Sequence, residues 1–482
     1  MAYSKTPAQS TYSTKTIKLL QQWETRDTTN TKDNDVVNCF FEVVKDKTLK
    51  DKEDLIISRS GTQLYGYTVP STNIRGAYYW EDQDKLYIAY DQSIAVVTGS
   101  TGVFISTITP GFAAGTSDIG FTEFNYGAGA TNLVVSDGTV LGTISAGQVF
   151  TASVSANLPV PHNPQIVFLD GYLFLVKVGT ADIYNSNVDA PLVFTAGNFI
   201  SAEMLPDNLI RVARLNNYLL AFGTNSVEYF YDAANATGSP LQRNDTPIKL
   251  LGFLGGLANY GTKIMFVGQT STNSPSLFML EDFKITEIDV PVLRRYVEPF
   301  TSSIGSVVSF GGHDFYILNV GSLTYMVDLM SNTWTRLSYK QTGSFPIKFA
   351  VNLPISGYGN TTLVIQAGVA TPSVFKSTLF LDDSVDFTPT IVTSNEFFES
   401  YKTKFGGRLS VIGDRTVGSL DISWSDDDYQ TFSTPRTIVL NQNFPSLNAL
   451  GAFRRRAHKV VHRGNCLMRL VGIEMDINLG SR

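Results

Sequence analysis

The sequence predicts an all-β protein: a β-propeller-like domain of six or seven blade-like repeats, followed by a β-sandwich-like C-terminal domain. Three observations predict it. From about residue 55, short runs of Val, Ile, Leu, Tyr and Phe alternate with Gly, Asn, Asp, Ser and Pro, the sequence form of successive strands and turns. Seven of those runs recur at near-constant spacing. After about residue 395 the runs change to polar/apolar alternation, as in an antiparallel sheet with one solvated face.

Residues 1–54 read as an N-terminal arm and first strands, available for partner contacts. The first 34 residues are rich in Ser, Thr and Lys, and the amphipathic run "TIKLLQQW" at 16–23 has room for one helical turn or two. Residues 55–394 carry the repeat. Its runs are "KLYIAY" at 85, "NLVVSDG" at 132, "YLFLV" at 172, "YLLAFG" at 218, "KIMFVG" at 263, "FYILN" at 315 and "TLVIQAG" at 362. Their first strongly apolar residues are Leu86, Leu133, Leu173, Leu219, Ile264, Tyr316 and Leu363, at intervals of 47, 40, 46, 45, 52 and 47. A period near 45 with several strands per unit marks radial β-architectures, in which no single small sheet can hide its own faces. One unit, "HDFYILNVGSLTYMVDLMSNTWTRLSY", shows three strand-like runs, and the last carries Trp334, placed to pack between sheets. Residues 395–482 form the second domain, through "RLSVIGDR", "SLDISWSDDDYQTFS", "PRTIVLNQN", "KVVHRG" and "LMRLVGIEMDINL".

Composition narrows the functional classes. The chain has 482 residues, 12% of them aromatic and only 17% charged, with 39 Gly, 22 Tyr and 31 Phe. That balance suits many short strands and tight turns. A formal net charge of -6 argues against a free-standing nucleic-acid binder, which needs a positive surface to displace counterions. Cys39 and Cys466 stand near opposite ends with no CxxC pair, so neither a disulfide framework nor a thiolate zinc site is indicated. The N-terminus lacks an apolar signal core, and no run of about 18 apolar residues offers a membrane span. These features predict assembly inside a cell, with release by lysis.

The chemistry-bearing candidates are few. "SDDDYQTF" at 425–432 crowds Asp426, Asp427 and Asp428 between an alternation ending at Trp424 and another restarting at Phe432. Aspartates suit hairpin turns because they bond nearby backbone amides and tolerate unusual dihedrals. The spacing S-x-D-x-x-x-T-F is that of an Asp-box turn, with Tyr429 where that module usually has Gly. A calcium loop would need alternating oxygen ligands, a central Gly and a distal Glu, which are missing. A glycosidase pair would need a second carboxylate at a set distance. His458 and His462 are four apart, but "HKVVHRG" alternates like a strand and no HExxH is present. No nucleophile elbow, phosphate loop or dinucleotide fingerprint occurs; "GFLGGLANYG" at 252–261 reads as turns and close packing. No cofactor is expected. The one cationic cluster is Arg454, Arg455, Arg456, Lys459 and Arg463. Two readings stay open for it: pairing with carboxylates of a neighbouring strand or subunit, or a surface facing phosphates or a partner.

The stretch 201–243, "SAEMLPDNLIRVARLNNYLLAFGTNSVEYFYDAANATGSPLQR", resembles the central segment of the packaged-DNA stabilisation proteins, the tail hub or nozzle proteins of short-tailed double-stranded DNA phages. The resemblance is carried by Ala202, Glu203, Pro206 and Asp207, then Phe222, Gly223, Val227, Glu228, Tyr229 and Phe230, then Pro240 and Arg243. "SWSDDDYQTFS" with "FRRRAHKVVHRGNCLMRLVG" resembles that family's aspartate-bearing hairpin and arginine-rich final strands. "VNCFFEV" with "SRSGT" is a weaker match, since Ser60 stands where a proline is usual.

The resemblance implies a virion-tail protein assembled in the host cytoplasm as a ring of six copies below the portal-adaptor ring. Such a ring extends the channel that holds and delivers the genome, touches double-stranded DNA without sequence preference, and anchors fibre, spike or needle proteins. It brings no catalytic residues, and Glu228 is then structural or inter-subunit. Two other readings remain at this point: a propeller-type glycosidase or depolymerase using Asp426 or Asp427, and a receptor-binding tail protein.

Overall fold

The computed structural model describes residues 12–17, 19, 35–42, 54–126, 131–270, 275–290, 293, 304–357 and 359–480, and they form two units. One comprises residues 63–322 and 346–376; the other comprises residues 1–62, 323–345 and 377–482.

In the first unit the seven predicted anchors decide the architecture. Leu86, Leu133, Leu173, Leu219, Ile264, Tyr316 and Leu363 each lie on the second strand of a successive sheet, and each is fully buried. Blade I holds strands Ile74–Trp80, Lys85–Tyr90, Ser93–Thr98 and Phe104–Ile108. Blades II (residues 120–152), III (167–201), IV (209–249) and V (252–288) repeat that four-stranded antiparallel meander. Blade VI contributes the hairpin Ile304–Phe310 and His313–Val320. Blade VII is built from Ile347–Ile355, Gly359–Gln366 and Ser373–Lys376. Its fourth strand is Gly61–Leu64, from the start of the propeller sequence, so the first segment completes the last blade. Just beyond it, Tyr65 N donates to Pro372 O (2.8 Å) and Val69 N to Ala370 O (3.0 Å), which extends that closure.

Among the described residues the blades therefore number seven. Innermost strands of blades I, II, III and IV touch in order, that of V meets the second strand of IV, and V, VI, VII and I follow, closing the circle.

The anchor runs are continuous rather than alternating because both faces of each sheet are covered. Leu86 and Ile88 join a core with Leu353, Leu363 and Val374 of blade VII, whereas Tyr87 and Ala89 join another with Leu133 and Val135 of blade II. The same division recurs between II and III, III and IV, and IV and V. Period-two alternation thus sends side chains into two different apolar cores, each anchor contributing about 1.5–3 kcal/mol on burial. At the axis the innermost strands approach by backbone. A Cβ on Gly120 would sit 1.9 Å from Pro164 O, and one on Gly305 would sit 2.1 Å from Gly256 O. Only glycine admits that spacing.

The second unit is a two-sheet sandwich. One sheet runs Cys39–Glu42, Leu55–Ser58, Arg469–Leu479, Lys404–Gly413, Ser446–Phe453, with Ser13–Ile17 added on Arg469–Leu479. The other runs Leu323–Asp328, Trp334–Arg336, Asp35–Val37, Thr390–Val392, Ala457–Arg463, Ser419–Ser425, Arg436–Val439. Phe41, Ile56, Leu409 and Ile473 of the first sheet share a core with Leu420, Ile422, Ile438 and Val460 of the second. Trp334 is buried edge-on to Tyr325, with ring centroids 6.2 Å apart.

Thr16 and Ile17 close an extended strand paired with Glu474 and Ile473, rather than opening a helical turn; residues 18 and 20–23 of that run lie outside the described residues. No helix among the described residues is long and apolar enough to cross a membrane.

Candidate functional site

The acidic hairpin and the arginine cluster meet in the sandwich. Ser419–Ser425 pairs antiparallel with Ala457–Arg463, placing Ser425 opposite Ala457 and Asp421 opposite Val461. Each aspartate has a separate task. Asp426 accepts Nε and Nη2 of Arg456, both at 2.7 Å. Arg456 Nη1 donates to Leu450 O at 2.7 Å, and its buried guanidinium lies 4.2 Å from the Phe453 ring centre and 5.0 Å from that of Trp424. Asp428 stands 3.4 Å from Arg455 Nη2 and accepts Asn395 Nδ2 at 2.8 Å.

Asp427 closes the turn. It accepts Thr431 N at 3.0 Å, Thr431 Oγ1 at 2.5 Å and Ser425 Oγ at 2.8 Å. Those bonds, the Thr431 hydroxyl first, hold its carboxyl down at about 2. Ser425 Oγ in turn accepts Tyr429 N at 2.9 Å. This is the Asp-box arrangement, and Tyr429 occupies its glycine position at φ +67°. The left-handed backbone is held by burying the Tyr429 ring against Val392 and Ala457 and by its hydroxyl donating to Thr393 O at 3.0 Å.

The five predicted cations therefore separate. Arg456 is buried and bidentate; Arg455 and Arg463 are about half exposed and face Asp428 and Asp421, the latter at 3.3 Å. Lys459 lies 5.8 Å from the Phe432 ring centre, and Arg454 is exposed. Arg454–Arg456 precede the strand; along it Lys459 and Arg463 share one face while His458 and His462 share the buried other. His458 is fully buried, both ring nitrogens lack a partner, and burial, with the Arg456 charge behind it, drives its pKa down to about 3. Burial brings His462 down to about 4; its Nε2 lies 3.7 Å from Cys466 Sγ. Among the described residues no group of three His, Cys, Asp or Glu could hold a metal ion.

A second charged node in the sandwich escaped the sequence reading. Arg59, in "SRSGT", is fully buried beside a fully buried Asp382. Nη1 donates to Asp382 Oδ1 and Ser60 O, both at 2.8 Å; Nη2 donates to Asp382 Oδ2 (2.5 Å) and Ser338 O (2.8 Å); Nε donates to Asn38 Oδ1 (2.9 Å). All five N–H groups are used, and the guanidinium lies 3.8 Å from the Phe387 ring centre. Lys340 N also donates to Asp382, at 2.8 Å. Three distant chain segments are thereby tied together. Lys404 was also missed: its mostly buried ammonium donates to the carbonyls of Ser400, Lys402 and Arg454.

In blade IV the residues that carried the resemblance assemble around one connection. Asp207 accepts Asn225 N (2.7 Å) and Ser226 N (3.1 Å). Gly223 makes room for it, since a Cβ there would lie 2.4 Å from Asp207 Oδ2. Glu228 is fully buried; its Oε1 accepts Met204 N at 3.2 Å and its Oε2 lies 3.7 Å from Arg243 Nη1. Burial raises the Glu228 carboxyl above the usual range, against the pull of those two partners. The cluster pins the 201–209 connector onto the second half of blade IV.

Residues 46–349 match the family model of Bacteriophage P22 Gp10, beta-propeller, the packaged-DNA stabilisation proteins. The chain belongs to this family. Membership makes it a bacteriophage structural protein with the family's propeller fold, in agreement with the seven blades. No curated protein matches the chain. Among solved structures, a streptogramin B lyase aligns at 11% identity over 66% of this chain and 97% of its own, with a TM-score of 0.45. Virginiamycin B lyase from Staphylococcus aureus aligns at 10% identity over 65% and 99%, TM-score 0.45. The N-terminal domain of Nup159 aligns at 10% identity over 71% and 99%, TM-score 0.42. These likenesses bear on neither substrate nor chemistry.

Proposed function

We propose that this family member is the tail hub or nozzle of its virion: a ring of six copies below the portal-adaptor ring. It prolongs the DNA channel, retains the packaged genome and anchors fibres, spikes or a needle. The family match over residues 46–349 carries the reading. The charge arrangement supports it. A channel that gripped phosphates would hinder ejection, because each neutralised phosphate adds affinity. Here Arg455, Arg456 and Arg463 are matched to Asp428, Asp426 and Asp421, which lowers the fixed positive charge this cluster could offer DNA.

The exposed parts of Arg454, Arg455, Lys459 and Arg463 are then contacts for a neighbouring copy or partner rather than for DNA. Ring contacts between identical copies are heterologous, so these cations meet a different patch on the next subunit. Residues 1–54 serve partner contacts as well as lending strands to the sandwich; the propeller falls within residues 55–394, and residues 395–482 belong to the sandwich, which also takes strands from residues 55–58, 323–336 and 390–392. Assembly takes place in the host cytoplasm. The chain acts without turnover. Asp427 is unsuited to be a glycosidase acid, which needs a raised rather than depressed carboxyl pKa. The test is genome retention in phage particles assembled without this chain. They package DNA and then lose it to added nuclease, and wild-type protein restores protection. Full retention and infectivity without the chain would remove the proposal.

A further inference from the structure

On the propeller axis the innermost strands of blades I, II, IV, V, VI and VII, with Gln165 ahead of blade III, line an open cavity of about 580 Å³ that Asp118, Arg211 and Lys348 also border. A volume of that size admits a small molecule and no nucleic-acid duplex. Its lining carries two carboxylates, Asp118 and Asp314, against Arg211 and Lys348; Asp314 accepts the hydroxyls of Tyr260, at 2.8 Å, and Ser309. Lys348 Nζ lies 3.2 Å from Asp118 and donates to Ile74 O at 2.9 Å. Arg211 has Asp118 only as a through-space influence; its one hydrogen bond is from Nη2 to Gln165 Oε1, at 3.2 Å, and its Nε is shut off from solvent without any partner.

Arg211 is half-buried, and the protein's fully buried arginines behave differently. Arg59 spends all five N–H groups. Arg75 uses all three nitrogens, on Ser117 O, Asp91 O, Ala113 O and Ser117 Oγ. Arg456 engages Asp426 and Leu450 O with all three of its own. Shutting the Arg211 Nε off from water without an acceptor is costly, and partial burial of the side chain lowers its pKa to about 10. Lys348 and Arg211 both look to Asp118, while Asp314 is engaged by hydroxyls, and Arg211 borders the open cavity with donors to spare.

We propose that the axial cavity is a binding site for a small oxyanion of the phosphate or carboxylate type, received by Arg211 with Lys348 adding a second positive charge. Arginine's fork matches such anions, and a charge-assisted pair formed away from bulk water is stronger than one at the surface. Of the two lining carboxylates, Asp118 is the one set against these cations and weakens the site, which gives the proposal two opposite signs to test.

The experiment titrates the full-length protein with inorganic phosphate and, separately, acetate, at ionic strength held constant with sodium chloride, following the melting temperature. Ligand binding to the native state raises that temperature with concentration. The expected result is a rise with at least one of the two anions, abolished by Arg211→Gln and reached at roughly tenfold lower anion concentration in Asp118→Asn. An equal rise in wild type and Arg211→Gln, or no rise with either anion, overturns the site. Should Arg211→Gln fail to fold, the comparison of wild type with Asp118→Asn decides alone: phosphorus-31 line broadening, or the acetate response, must begin at lower concentration in Asp118→Asn, and coincident curves overturn it.

Discussion

Arg59→Met lowers the stability of the sandwich unit by about 3–5 kcal/mol, the cost of leaving a fully buried carboxylate without its cation. Asp382 would keep only the lesser donors, Lys340 N at 2.8 Å and Thr62 Oγ1 at 3.3 Å. Asn38 Oδ1 and the carbonyls of Ser60 and Ser338 would lose a donor as well. Urea unfolding, read by hydrogen exchange in strands Cys39–Glu42 and Thr390–Val392, measures it. The double variant Arg59→Met, Asp382→Leu should recover a large part of the loss, because two buried charges of opposite sign are then removed together. A single-variant loss below about 1 kcal/mol would show that the node is not the tie between segments that its geometry describes.

Acid should weaken the same unit well above the range where carboxylates titrate. His458 and His462 are held neutral, with pKa values brought down to about 3 and about 4 against an ordinary value near 6.5. The unfolded chain therefore binds more protons than the native one once pH drops below about 6.5, and stability declines from there toward pH 4. Each histidine contributes a slope approaching about 1.4 kcal/mol per pH unit over the middle of that window. Asp427, depressed to about 2, acts in the same direction but only below about pH 4, so the two effects separate. Urea midpoints at pH 7, 6, 5 and 4.5 check the slope. His458→Leu should flatten it and raise stability at pH 5, since it also removes two buried nitrogens without partners. A stability that is level from pH 7 to 4.5 would contradict the burial of this pair.

The propeller was legible because its physics is local and repeated. A strand buried on both faces reads as an unbroken apolar run, and seven copies at one spacing exposed Leu86 through Leu363 as equivalents. The sandwich was legible only in part. The Ser419–Ser425 and Ala457–Arg463 pair shows itself by alternation, and its arginines and aspartates suggest pairing with a neighbouring strand. Which aspartate takes which arginine depends on the turn at Asp427, a fact of geometry rather than of composition.

The rest is non-local. Ser13–Ile17 finds its partner in residues 473–477, and Leu55–Ser58 meets Arg469 and Leu470, so no window of sequence contains both halves of either pairing. Arg59 stands in a short polar stretch that reads as surface, yet Asn38, Ser338 and Asp382 converge on it from three directions. Arg211, inside "IRVARL", gives no sign of facing a propeller axis. Buried charges are set by what folds over them, and pattern reading sees only what lies beside them.

In the ring proposed for it, this chain does its work as a copy among copies. The mass of the purified particle tests it most directly, by light scattering or native mass spectrometry, alone and after mixing with the portal-adaptor ring. A ring of six 52.9 kDa chains on the adaptor is the expected result. A single 52.9 kDa chain in both conditions, together with its absence from purified virions, would contradict it.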